Sequence, residues 1–296
     1  MHLLHRKTTS LLISYSLLSG GSVYALDTDG AMASKNDRFA NDPSFIMNGY
    51  DLSGVGRSSN GTWATLISEN VFVSAKHFHP GNGNTITFFS TNNPGGAAVT
   101  RTVDGMNSAA IAGTDIWLGV LNDPVPVGYA IYDFATEDID NASFTTSIYY
   151  EQNAFVIGRS PNSYSNAKDV AVGRNILDDW ADNNTYGDSV ISLVQADNTE
   201  DNYVAFETAL VGGDSGAPLF VDFDEGGEDS ALRLVGTNWY IDTEAGVTTL
   251  NGYTYLGNYD GQIQEFIDLH ALPEPSSLTV IGVVAILLTA RRRRAI

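Results

Sequence analysis

Cysteine is absent from the 296 residues. That excludes disulfides, thiolate metal sites and a cysteine nucleophile together. Basic residues are scarce as well, 15 against 35 acidic ones for a formal net charge of -20. Such a chain repels phosphate backbones, so nucleic acid is excluded as a partner. The basic residues that exist include Arg6, Lys7 and Arg291 to Arg294, which lie in the terminal segments and leave the body still poorer in positive charge. Alternation of strands and helices in the βαβ manner is missing, and no internal repeat of fixed period is visible. What remains is an ordinary globular composition, 43% hydrophobic and 10% aromatic. A chain of this length can build one large or two small cores without covalent staples.

Both ends read as addresses. His5, Arg6 and Lys7 form a basic start, Leu11 to Leu18 an apolar run, and Val23-Tyr24-Ala25 a small-residue cleavage site. This is the layout of a signal peptide over residues 1–25; a buried N-terminal helix is the alternative. At the other end, Pro273-Glu274-Pro275 precedes an apolar stretch from Leu278 to Ala290 and then Arg291 to Arg294. That order resembles the bacterial PEP-CTERM sorting signal over residues 273–296. The apolar stretch falls short of the ~20 residues of a comfortable transmembrane helix, though flanking residues could extend it. Arginines after it would stay on the cytoplasmic side. The resemblance implies transient membrane association through the tail and processing by a protease of the exosortase type. Release or retention in the periplasm, at the cell surface or outside the cell would follow. An ordinary C-terminal anchor would leave the body on the same side.

Within the body, Leu26 to Asp42 is polar and lacks either hydrophobic period, so residues 26–45 read as a lead-in or pro-segment, with order from about Phe45. From there short runs rich in Val, Ile, Thr, Tyr and Phe follow, among them Thr62 to Ile67, Val71 to Ser74, Thr85 to Phe89 and Ala154 to Gly158. Clusters such as His79 to Asn84 and Asn92 to Gly96 separate them at turn-like spacing, the pattern of an all-β sandwich or barrel. Ile263, Phe266, Ile267 and His270 then fall at helical spacing, predicting one amphipathic helix over about 259–270.

The sharpest chemical signal is Gly213-Asp214-Ser215-Gly216. A serine between glycines sits on a tight turn that can project its hydroxyl, while the amides of Gly213 and Ser215 can converge on one oxyanion. A serine hydroxyl needs a base. His77 follows the β-rich Val71 to Ala75 and precedes a turn; His79 is the competing candidate, and His270 belongs to the terminal helix. The base in turn needs a carboxylate to hold its tautomer. Asp115, flanked by the apolar Ile116-Trp117-Leu118, suits that role better than Asp104 or Asp123, which stand in turn-like contexts. An acidic loop from Asp222 to Asp229 offers clustered oxygens for a hard cation, with solvated charge the plainer reading.

Ser74-Ala75-Lys76-His77 resembles the Thr-Ala-Ala-His signature of trypsin-like serine proteases. Gly213-Asp214-Ser215-Gly216-Ala217-Pro218-Leu219 resembles their serine signature, and Asp115-Ile116-Trp117-Leu118 their Asp-Ile-Ala-Leu strand. The order His, Asp, Ser is that of the chymotrypsin-type fold. The resemblance implies an all-β domain over residues 46–272. Two packed six-stranded antiparallel β-barrels (about 46–145 and 146–257) would be closed by the C-terminal α-helix. It implies a secreted bacterial endopeptidase with His77, Asp115 and Ser215 catalytic and Gly213 and Ser215 forming the oxyanion hole. Protein or peptide substrates are expected, with no metal or organic cofactor. Asp214 would be the activation or structural acid that pairs with a freed N-terminus; Ile46-Met47-Asn48-Gly49 is a weak echo of such a start. The position that selects Lys or Arg when acidic is Ala209, followed by Leu210, so cleavage after uncharged residues is expected. The alternative is an inactive trypsin-like module used for adhesion or matrix binding, and a third reading is a structural all-β surface protein.

Overall fold

The computed structural model describes residues 26–160, 165–182, 186–194, 203–223, 232–244 and 247–270. Residues 1–25 and 271–296, which carry the expected leader and sorting tail, lie outside the described residues, as does most of the acidic loop after Asp222. No helix among the described residues is long and apolar enough to cross a membrane.

The expectation that order begins near Phe45 is corrected. Strand β1 (Asp27–Thr28) pairs antiparallel with Thr208–Ala209, helix α1 (Ala33–Asn36) follows, and Leu26, Asn36, Asp37, Arg38 and Phe39 are all buried. The polar character that suggested a lead-in is absorbed by hydrogen bonds. Arg38 donates to the carbonyls of Val55 and Phe89, and Asn36 to that of Val172. A buried polar group costs free energy only when it is left unpaired.

Six strands then close a barrel: β2 (Val55–Ser58), β3 (Trp63–Leu66), β4 (Val71–Ala75), β5 (Thr85–Phe89), β6 (Ala98–Ala110) and β7 (Ile116–Leu121). β4 is buried along its whole length because both of its faces are used. Phe72 points into the barrel with Leu66, Ile86 and Phe88, while Val71 and Val73 face the other half of the molecule. Period-two alternation therefore does not show as apolar and polar residues here. Burying each of these side chains stabilises the fold by roughly 1.5–3 kcal/mol.

The second half contains β8 (Asn153–Gly158), β9 (Ala171–Ile176), β10 (Asp179–Ala181), β11 (Ser189–Leu193), β12 (Thr208–Ala209), β13 (Pro218–Asp222), β14 (Leu232–Glu244) and β15 (Val247–Tyr255). Seven of these form one sheet in the order β10-β11-β15-β14-β13-β8-β9. The expected second six-stranded barrel is thus a half-barrel sheet. Among the described residues no ladder joins β9 to β10; side chains fill the opening. Asn175 on β9 reaches Ser192 Oγ on β11 and the Thr208 carbonyl on β12, each at 2.9 Å. Helix α2 (Asp260–His270) is the last element of the described residues and lies where its period predicts, with Ile263 fully buried in the apolar seam between the halves.

Candidate active site

His77 sits in the turn leaving β4, and Asp115 immediately precedes β7, the strand paired with β4. The ladder alone brings them together. His77 Nδ1 lies 2.7 Å from Asp115 Oδ2, and the His77 backbone N–H donates to Asp115 Oδ1 at 3.0 Å. Asp115 is buried, whereas the imidazole is 38% exposed, so the ring is held from below and open above. A carboxylate gripping both the backbone and the ring fixes one tautomer, with Nδ1–H donating to Asp115 and Nε2 free to accept a proton.

The competing candidates go elsewhere. His79 stacks on Trp117, ring centroids 3.8 Å apart, and its Nδ1 is engaged by the Lys76 carbonyl. Burial pulls its pKa below the usual imidazole range. Asp104 lies within β6 and not in the expected turn, its carboxylate taken by Met106 N and the Asn107 side chain at an irregularity of that strand, and Asp123 is exposed. His270 packs its ring against Phe266.

Ser215 comes from the other half, in the turn before β13. Gly216 explains why the turn carries glycine: its φ is +84°, and a Cβ there would lie 2.7 Å from Ser74 Oγ and 2.8 Å from the Ala75 backbone N. The serine turn is therefore pressed onto the end of β4, next to His77. It is latched to β14 by Gly216 N donating to the Asn238 carbonyl and Asn238 N donating to that of Ala217, both at 2.9 Å. Ser215 Oγ and His77 share no hydrogen bond among the described residues, a common state of such pairs before substrate binds.

Asp214 is fully buried, and its carboxylate accepts from Arg159 N at 2.7 Å and Val211 N at 2.9 Å. It has no ion-pair partner among the described residues. Burial pushes its pKa up to about 7 despite those two amides and the nearby Arg57 and Arg159. Ile46 does not meet it: the Ile46 backbone N donates to the Lys35 carbonyl. Leu26 does approach. Its backbone N donates to the Arg159 carbonyl at 3.0 Å. Leu26 Cδ1 and Asp214 Oδ1 both lie 2.8 Å from the position a Cβ on Gly158 would take. Sequence reading missed this proximity because Leu26 is brought to Gly158 and Asp214 by long-range pairing, its own hydrogen bond to Arg159 and the β1–β12 ladder.

Ala209 is buried in β12, and Leu210 is buried in the core of the second sheet with its N–H donated to Asn251 Oδ1. Around them Asn175, Ser192, Thr208, Asn251 and Tyr253 form an uncharged buried network. No metal-binding cluster of His, Asp and Glu occurs among the described residues.

Together, the closed six-stranded barrel, the half-barrel sheet, the terminal helix and a His–Asp pair facing a serine turn across the seam define the chymotrypsin fold. Among solved structures, a double mutant of human heparin binding protein (CAP37) is similar with a TM-score of 0.52 and 12% identity, covering 76% of this chain and 95% of that one. An atomic-resolution structure of HBP matches with a TM-score of 0.49 and 12% identity, over 75% and 93% of the two chains. At this identity the likeness concerns the fold. No family model and no curated protein matches the chain.

Proposed function

We propose that the protein is an exported serine endopeptidase in which Ser215 attacks the peptide carbonyl, His77 takes and returns the proton, and Asp115 orients His77. The Gly213 and Ser215 amides would stabilise the oxyanion. The observation that carries this reading is the buried Asp115 carboxylate gripping both the ring and the backbone of His77, beside a serine turn pressed onto the same strand end. The uncharged side chains of Ala209 and Leu210 themselves, in place of an acidic residue, support cleavage after uncharged residues. Export through the leader, processing of the tail by an exosortase-type protease and delivery to the periplasm, cell surface or medium belong to the same proposal.

The environment of Asp214 supports a route to the active state. A cut after Ala25, where the leader is expected to end, would turn the Leu26 nitrogen into an ammonium at the carbonyl of Arg159, the residue whose own N–H donates to the Asp214 carboxylate. Leader removal alone would then complete the site, with no further cut before Ile46.

A second reading, an inactive module for adhesion or matrix binding, draws support from the absent Ser215–His77 hydrogen bond and from a structural neighbour named for binding heparin. Labelling of the protein beginning at Leu26 with a fluorophosphonate separates the two. The protease reading expects modification at Ser215 that disappears in Ser215→Ala and His77→Ala; a folded protein that never labels belongs to the second reading.

A further inference from the structure

Trp63 opens β3 in the first barrel and is completely buried, yet its one polar atom is spent across the seam: indole Nε1–H donates to the carbonyl of Gly213 at 3.0 Å. That carbonyl belongs to the peptide leading into Asp214 and Ser215. The indole is itself held. The Arg57 guanidinium lies over the ring, 4.3 Å from its centroid. Arg57 pairs with Asp169 at 2.9 Å, and also donates to the Asp169 and Gly61 carbonyls. Asp169 in turn holds Arg159 Nε at 3.1 Å and Ser160 N at 2.6 Å. Arg159 returns to the serine turn twice. Its backbone N donates to Asp214 Oδ1, and its side chain lies against Gly213, Cδ 2.9 Å from where a Cβ would stand.

Gly213 has φ +98°, a conformation that glycine adopts at no steric cost and leaves as easily. Nothing in its own side chain keeps its N–H aimed at an oxyanion. From this geometry we infer that Trp63 is a positioning residue: its indole N–H clamps the Gly213–Asp214 peptide, which lies between the Gly213 and Ser215 amides, and so limits the rotation of both donors that would stabilise the oxyanion. The inference rests on the protease reading of the same site. It concerns the Trp63 indole N–H, and the ring volume alone would not supply it.

The test uses the protein beginning at Leu26 with Trp63→Phe, and with benzothienylalanine at position 63, which keeps the bicyclic volume and loses the N–H. Loss of a complete oxyanion donor lowers kcat by roughly 100- to 1000-fold. An unclamped donor is expected to lower kcat roughly 10- to 100-fold, with KM changing less than about twofold, because the oxyanion exists only in the transition state. Amide hydrogen exchange over residues 211–217 is expected to speed up in both variants while β4 and β7 stay protected. Unchanged kcat and unchanged exchange in the benzothienylalanine protein overturn the inference and leave the protease reading standing. If the wild-type protein neither labels nor turns over, the protease reading fails instead, and the exchange comparison alone decides whether the indole holds the turn.

Discussion

Leaving a few residues in front of Leu26 should cost the fold stability in a pH-dependent way that the protein beginning at Leu26 escapes. With Leu26 nitrogen as an amide, Asp214 is buried without an ion-pair partner among the described residues, and burial raises its pKa from 3.8 to about 7. Three units at about 1.4 kcal/mol each correspond to roughly 4 kcal/mol. Because the folded pKa lies above the unfolded one, the extended protein has its full stability below about pH 4. It loses that amount as pH rises through about 7, and the loss then levels off. In the protein beginning at Leu26, an ammonium beside Asp214 restores the ionised carboxylate as one half of a pair, and the penalty between pH 4 and 7 disappears. The ammonium's own pKa is raised by the carboxylate, so this protein keeps its advantage below the ordinary amine value near 8 and loses it as pH rises through the raised one. Urea unfolding of both forms from pH 4 to 10 measures this. Taking the difference between them cancels the titration of Asp37, whose pKa is also raised by burial. Two parallel stability curves would refute the pairing, and with it the idea that leader removal completes the site.

Replacing Asp115 by Asn should leave the fold intact and lower kcat about 10,000-fold, since an amide can hold the wrong imidazole tautomer; steady-state kinetics on a peptide substrate checks it. Gly216→Ala forces a Cβ against Ser74 and the Ala75 backbone at positive φ. It should destabilise by about 2 kcal/mol or more and slow fluorophosphonate labelling, read from urea midpoints and labelling rates. Tyr253→Phe removes a hydroxyl that engages Asn175 and Ser192 inside the second sheet, and should cost about 1–3 kcal/mol with little change in kcat. A library of peptide substrates should show cleavage after uncharged residues, and a dominant preference for Lys or Arg would contradict the specificity role given to Ala209 and Leu210.

The legible parts of the sequence were those whose physics is local. Glycine, asparagine and aspartate clusters marked the turns, β-branched runs such as Thr85 to Phe89 became strands with the expected bounds, and the period of Ile263, Phe266 and Ile267 gave α2. His77 and Asp115 could be matched because each stands at the end of a recognisable apolar strand, and those two strands turn out to be neighbours. What stayed hidden depends on partners far along the chain. Leu26 to Phe39 looks solvated because its polar groups find their acceptors on β2, β5 and β9. No short-range pattern encodes that. Trp63 read simply as a strand aromatic, since nothing near it hints that its N–H serves a turn 150 residues later. The open second sheet escaped for a related reason: Asn175 closes it with a side chain, which composition cannot distinguish from a backbone ladder.

The site is therefore less a property of either half than of their docking. The first barrel supplies the imidazole and its carboxylate on the β4–β7 ladder, whose end the second half meets; the second supplies a glycine-flanked serine turn latched to β14. Three contacts cross the seam at this point: Gly216 against Ser74 and Ala75, the Trp63 indole on the Gly213 carbonyl, and the Asp115 N–H on the Tyr186 carbonyl. Two of the three act on the serine turn and one on the Asp115 backbone, while both His77–Asp115 hydrogen bonds lie within the first barrel, so a small shift of one half against the other moves the serine turn before it breaks that pair. A destabilised seam should consequently lose serine reactivity while the His77–Asp115 pairing survives. Imidazole resonances that stay hydrogen-bonded in a variant that no longer labels would be the signature of that order of events.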